Sequence, residues 1–341
     1  MAKEIWLWIK EKLAALLGWF GDGLLALWRF IAGWLRTVSG STWRKVAVGA
    51  PLAFFIYILI GMPIVNRIDD SLAVDSVAPP GGSATVSAVT FLVRRETEHN
   101  NWTPNDPFML PGWWLDNTPN YQKGIMGAVS RFSFELRDQL GRRRGSSSVD
   151  ENLEKAASNL SIEPERWIID MSTSFLPTKP SDQYYREALG QLDSYNAQLG
   201  TGQSVFDRRS DNLLATLDRI ALDLGASSAS LDTYVSDHAG GIVTDFGADD
   251  LFYQVKGQVY AYTILLKAIR KDFAEVIETR EIAALYDDLL KSMSAAASLD
   301  PLIVSNGAVD GILVPNHLSM QGFYLLRART QLREVSNILL K

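Results

Sequence analysis

The stretch Val255–Val276, VKGQVYAYTILLKAIRKDFAEV, places apolar residues at 255, 259, 262, 266, 269, 273 and 276. Steps of four and three alternate without a slip, which is the period of a helix with one buried seam and not that of a strand. The same seam recurs at Ile125, Val129, Phe132 and Leu136, and at Tyr185, Ala188, Leu192, Tyr195 and Leu199. It appears again at Leu213, Leu217, Ile220 and Leu224, and at Leu325, Ala328, Leu332, Val335 and Leu339. Ser181–Asp182, Ser210–Asp211 and Asn316 stand just before three of these runs as N-cap candidates, because their side chains can accept the free N–H groups of a first helical turn. Alternating β-branched runs are too short to compete, with room for one short strand at Trp167–Met171. The expected fold is all-α: a large bundle of antiparallel, coiled-coil-like helices over residues 84–341.

Working outward toward the N-terminus, residues 67–83 read as a linker ending in APPGGS, Ala78–Ser83. Before it lies Val46–Val65, VAVGAPLAFFIYILIGMPIV, 20 residues without a charge. At about 1.5 Å per residue this matches a hydrocarbon layer of roughly 30 Å, so residues 43–66 are expected to form a transmembrane helix. Pro51 and Pro63 each remove a backbone donor and are places for a kink. Residues 1–45 carry a net charge of +4 and residues 66–341 a net charge of −10, within −6 for the 341-residue chain. Positive charge before the span puts the N-terminus in the cytoplasm and the acidic domain outside, which is the periplasm if the cell is Gram-negative and the membrane its inner one.

Residues 1–42 have a different pattern. Lys3 and Lys10 are seven apart, as are Asp22, Arg29 and Arg36, and they form a narrow polar stripe on an otherwise apolar surface. Uncharged runs there are too short to span, so the segment is expected to form amphipathic helices lying in the membrane interface, broken near Gly21–Gly23. Trp6, Trp19, Trp28, Trp34 and Trp43 are its interfacial anchors. Such a segment either shapes the bilayer and holds neighbouring copies together, or only anchors.

The chemistry-bearing residues are sparse. Cysteine is absent, which excludes disulfides, thiolate metal sites and cysteine nucleophiles. His99, His238 and His317 stand far apart with no metal-ligand spacing, and Glu96, Glu98 and His99 read as a charged, solvated helix end. No nucleophile elbow or phosphate-binding loop appears. The acid pairs Asp249–Asp250 and Asp287–Asp288 are adjacent on helices, so their members point apart and read as helix-start or surface charge. An acidic outer domain is a poor nucleic-acid binder. No cofactor, metal or catalytic residue is assigned.

Arg142, Arg143 and Arg144 make the one basic cluster of the outer domain, either an exposed loop or a contact for anionic lipid or polymer. The block Trp102–Tyr121, WTPNDPFMLPGWWLDNTPNY, holds four prolines, which forbid a regular helix, and is too aromatic for a disordered linker. It should be an ordered loop pinned by tryptophan, either a plug at the bundle end or a recognition surface. Trp102, Trp113, Trp114, Arg142, Arg143 and Arg144 are the candidate interaction surface. With its basic N-terminus, single anchor and the block NNWTPNDPFMLPGWWLDNTPNYQKG, the chain resembles proteobacterial membrane proteins of the domain of unknown function 2333 family. That resemblance implies a bacterial envelope location and supplies no activity.

The function expected from these features is that of a noncatalytic, membrane-anchored envelope scaffold or adaptor that self-associates and binds the bilayer and other envelope proteins. The alternatives are an envelope-polymer hydrolase working through carboxylates brought together by folding, and an extracytoplasmic sensor that signals through a partner.

Overall fold

The computed structural model describes residues 29, 33, 42–74, 77–142, 149–169, 176–238, 245–301, 303–308 and 314–341. Apart from residues 29, 33 and 42, the interfacial helices expected over 1–42, with Trp6, Trp19, Trp28 and Trp34, lie outside the described residues, as do the side chain of Trp43 and residues Arg143 and Arg144. The chain divides into two compact units, Met1–Ile60 and Gly61–Lys341.

Helix α1, Thr42–Val65, runs without interruption through Pro51 and Pro63. Its apolar stretch Val46–Val65 is only 11% buried, and Phe55, Ile56, Leu59 and Ile60 are about half exposed. A core helix of the same composition would be covered by neighbours, so α1 is a candidate membrane span by length, composition and exposure.

The second unit is all helical among the described residues. Its helices are α2 (Ala84–Arg94), α3 (Asn117–Glu135), α4 (Glu151–Leu160), α5 (Ser181–Gly200), α6 (Ser210–His238), α7 (Phe246–Asp272), α8 (Ala274–Thr279), α9 (Ala283–Ala297) and α10 (His317–Leu339). The decisive stretch forms α7, with a one-residue kink at Phe273 before α8. α7 is buried on nearly every side, since Lys256, Val259, Tyr260, Thr263, Leu265 and Leu266 are all inaccessible. It is the central rod of the bundle.

Pairing partners fix the helix directions. α2 and α7 are antiparallel, because Ser83 meets Asp272 while Arg95 meets Tyr260. α4 and α5 are antiparallel through Asn152–Gln198 and Asn159–Gln191. α6 and α10 are antiparallel as well, with Ser336 on Asp218 at one end and Gly322 near Asp232 at the other. α3 and α7 are an exception and run in the same sense: Asn120 bonds Asp250, and further along Gly124 lies on the backbone of Gln254 and Gln258. Three helices separate the two in sequence, so no short hairpin dictates their direction. A Cβ at Gly124 or at Gly257 would overlap the facing backbone, so two glycines set how closely these rods approach.

The caps follow the local chemistry. Asn316 accepts from the Ser319 N–H at 2.8 Å as expected. Ser181 does not cap; it is the first helical residue after Pro180, and its hydroxyl is turned to the tryptophan loop described below. Trp167–Ile169 is irregular, and residues 170 and 171 of the expected strand lie outside the described residues. The isolated bridge Asn306–Asn316 is the β pairing present among the described residues.

Candidate functional site

The segment Asn66–Val74, whose residues 67–74 open the expected linker, is bonded along its length to the bundle. Three of its backbone carbonyls are taken by side chains: Tyr121 donates to Asp69 at 3.0 Å, Tyr260 to Ser71 at 2.9 Å and Lys267 to Leu72 at 3.1 Å. At its start Thr118 donates to the Asn66 side chain at 2.5 Å. Lys256, wholly buried on α7, reaches Asp70 at 2.8 Å and Asp300 at 3.2 Å. Ile68, Leu72 and Val74 pack on the core between these bonds. Burial raises the pKa of the Tyr260 phenol to about 12, so it keeps the proton it donates to the strap, whereas burial lowers the pKa of Lys267.

Beneath this strap lies a buried ion pair. α2 ends in a widened π-helical turn, Arg95–His99, which turns both Arg95 and Glu96 into the core although they are sequence neighbours. The guanidinium donates to Glu96 at 2.7 Å and to the Tyr260 hydroxyl at 2.5 Å, and its carbon stands 4.6 Å from the centre of the Tyr260 ring. Burial works against the charge on Arg95, but Glu96, Tyr260 and Tyr121 outweigh it and raise its pKa. Gln122 of α3 donates to Glu96 at 3.1 Å and accepts from both the amide and the hydroxyl of Thr103. The strap, the ion pair and the root of the tryptophan loop therefore share one hydrogen-bond network. The charged stretch 95–99 read as solvated is so only at Glu98 and His99.

The tryptophan block divides into a foot and a tip. Trp102 is turned inward, 5% exposed, and packs edge-on against Tyr185 while its N–H reaches the Pro164 carbonyl and the Ser181 hydroxyl, both at 3.1 Å. It therefore supports the loop from below. The tip, Pro107–Leu115 (PFMLPGWWL), carries no charge and exposes Phe108, Met109, Leu110, Trp113 and Trp114. A short 3₁₀ turn over Pro111–Trp114, an edge-on Trp113–Trp114 contact and a 3.0 Å bond from the Trp114 N–H to the Phe108 carbonyl hold it. Burial first, and the charge of Asp182 second, push the Asp106 carboxyl up to about 6 even though it accepts the Gly112 N–H.

The remaining candidates separate. Arg142 is exposed at the far end of α3, beyond the π turn Leu136–Leu140, while Trp113 and Trp114 precede its first residue. Some 24 helical residues lie between, roughly 36 Å at 1.5 Å per residue, so the tryptophans and Arg142 do not form one surface. Asp249 is half-buried and Asp250 exposed, and both stand near Asp116: burial first and Asp116 next raise both carboxyls, Asp249 to about 6. Asp249 lines a small cavity of about 160 Å³ with Asn117, Asp245 and Tyr253. His99 lines a larger groove of about 610 Å³ between residues 77–80, α2 and α5. His238 stacks on Tyr234 and His317 accepts the Ser305 N–H, and no cluster of three metal-ligating side chains exists among the described residues.

These features define a class: an all-α protein in which one exposed apolar helix leads into a bundle closed over a buried ion pair and displaying a rigid aromatic loop. The chain belongs to the bacterial family described as "Uncharacterized protein conserved in bacteria (DUF2333)", which matches residues 73–244 and 242–341. The match covers the bundle and begins after α1 and most of the strap. No curated protein and no solved structure matches the chain.

Proposed function

We propose that this protein is a noncatalytic scaffold or adaptor of the bacterial envelope, held in the inner membrane by α1 with its N-terminus in the cytoplasm and its bundle in the periplasm. The observation that carries this reading is the uncharged, exposed stretch Val46–Val65, followed at once by a strap bonded into the bundle. A strap fastened in this way suits a protein that holds its outer domain close to the bilayer and presents it to partners. The charge asymmetry supplies the orientation. Exposed Met320, Phe323 and Leu326, three residues apart on α10, give the bundle an apolar face for a second copy or another envelope protein.

Purification in nanodiscs, with mass measurement and identification of co-purifying proteins, tests the proposal. Oligomers or a reproducible partner are expected, and a strict monomer without a partner would defeat it.

A second reading, an envelope-polymer hydrolase, draws on the raised Asp249 carboxyl, since a general acid needs its proton near neutral pH. Its cavity of about 160 Å³ is smaller than ordinary ligand pockets of roughly 300 Å³ and above. Release of soluble fragments from dye-labelled cell-wall polymer, abolished by Asp249→Asn, would establish this reading in place of the first.

A further inference from the structure

We infer that the loop tip Pro107–Leu115 is a second membrane contact, seated in the boundary between headgroups and acyl chains beside the end of α1. The inference rests on the proposed reading of α1 as a membrane span. Pro111 is packed directly on Gly61, so closely that a Cβ at Gly61 would overlap its ring. Gly61 lies four residues before Val65, the last apolar residue of the span, which is roughly 6 Å inside its end at 1.5 Å per residue. The tip is thus fixed at the depth of the last turn of the span, where a lipid boundary must pass if α1 crosses a bilayer.

Its composition suits that depth. Phe108, Met109, Leu110, Trp113 and Trp114 are 38–58% exposed, and residues 107–115 include no charged side chain. Tryptophan prefers this layer because its large apolar ring can be buried while its N–H stays satisfied, here by the Phe108 carbonyl in the case of Trp114. Rigidity helps as well: with the foot at Trp102 anchored in the core, the tip has little conformational freedom left to lose on insertion.

Acids outnumber bases in the flanking sequence, with Asp116 directly after the tip and Asp69 and Asp70 four and five residues after the span, against the single base Arg67. They limit the depth of insertion and make an electrostatic attraction to anionic lipid unsuitable as the driving force. Apolar burial is the driving force.

The absence of cysteine allows a direct test with single spin labels on the full chain in nanodiscs of phosphatidylethanolamine and phosphatidylglycerol. Labels go on the exposed positions Phe55→Cys in α1, Phe108→Cys and Trp114→Cys in the tip, and Leu222→Cys on α6 as the aqueous control. The ratio of accessibility to oxygen over accessibility to a water-soluble nickel chelate reads lipid exposure. At 108 and 114 it is expected to approach the ratio at 55 and to stand several-fold above that at 222. Labels at 108 and 114 that behave like 222, while 55 remains in lipid, would overturn the inference and leave the anchor standing. Labels at 108 and 114 shielded from both reagents would overturn it too, since a protein surface would then cover the tip. If 55 itself lacks the lipid signature, the span reading falls and this inference with it.

Discussion

α1 and α7 are both long helices, and they solve opposite problems. α1 has no charge over Val46–Val65 and almost no cover, whereas α7 contains Lys256 and Tyr260 and is enclosed by the bundle. Hydropathy alone would rank α1 as the more buried. The difference shows that burial in the bundle is reached by neutralising polar groups in pairs and networks, while α1 avoids carrying them in its apolar stretch. A charge is tolerated in α7 because Asp70 and Asp300 meet it; α1 offers no such partner over the same length.

The largest test of this contrast removes one half of the buried pair. Glu96→Ala strands the Arg95 guanidinium in the core and should cost about 3–5 kcal/mol, read by urea unfolding of the full chain in micelles. The double variant with methionine at both positions should lose much less, because no charge is then left unpaired; equal losses would refute the pairing argument.

Next comes a new charge in α1. Ile56→Lys should weaken insertion by about 2.5–3.5 kcal/mol, seen as loss from carbonate-washed membranes while the near-ultraviolet circular dichroism of the bundle stays unchanged. Membrane retention equal to that of the native chain would count against α1 as a span.

A smaller effect is expected at the glycine contact. Gly257→Ala pushes a methyl group onto the α3 backbone and should cost about 1–3 kcal/mol, with thermal unfolding as the measurement. Ala in place of the exposed Gly190, which has open space around it, should be neutral or slightly stabilising, as better helix propensity predicts.

The smallest effect is a pH dependence. Asp106 titrates near 6 in the folded chain and near 3.9 when unfolded, so the folded state holds its proton more tightly. Stability from this group is therefore complete below about pH 4 and is lost as pH rises through 6. After allowance for partial exposure, Asp106→Asn should stabilise the native fold at pH 7.5 by about 1 kcal/mol and leave it unchanged at pH 4. A difference that does not vary between the two pH values would sink the assignment.

Much of the fold was legible in the seams. The stripes at 125–136, 185–199, 213–224, 255–276 and 325–339 all face the core, buried except at the half-buried ends Leu199 and Val276, since a 3.6-residue period survives whatever the tertiary context. The ion pair left a trace that is plain in retrospect: Val86, Val89, Val93 and Glu96 follow steps of three, four and three, so a carboxylate falls on an apolar stripe. Phe252, Lys256, Tyr260 and Thr263 show the same sign. Arg95 left none, because the π turn that brings it inward has no propensity signature of its own. Nor did the strap, whose donors stand 52 to 195 residues away and whose acceptors are mostly backbone atoms that every residue carries. In the tryptophan block, order and aromatic pinning followed from composition, but the division into a buried foot at Trp102 and an exposed tip at Trp113–Trp114 depended on where Ser181 and Pro164 lie in space.

The strap has a consequence for how the protein can change over generations. Asp69, Ser71 and Leu72 are held through their carbonyl oxygens, so the identities of their side chains are not what fastens them. The specification sits instead in Tyr121, Tyr260 and Lys267, on helices remote in sequence. A library of variants should accordingly accept wide diversity at 69 and 71, and somewhat less at the half-packed 72. The distant tyrosines and lysine should resist exchange, as should Asn66 and Asp70, whose side chains meet Thr118 and Lys256, so that the carbonyl-held part of the attachment outlasts the letters of the segment it attaches.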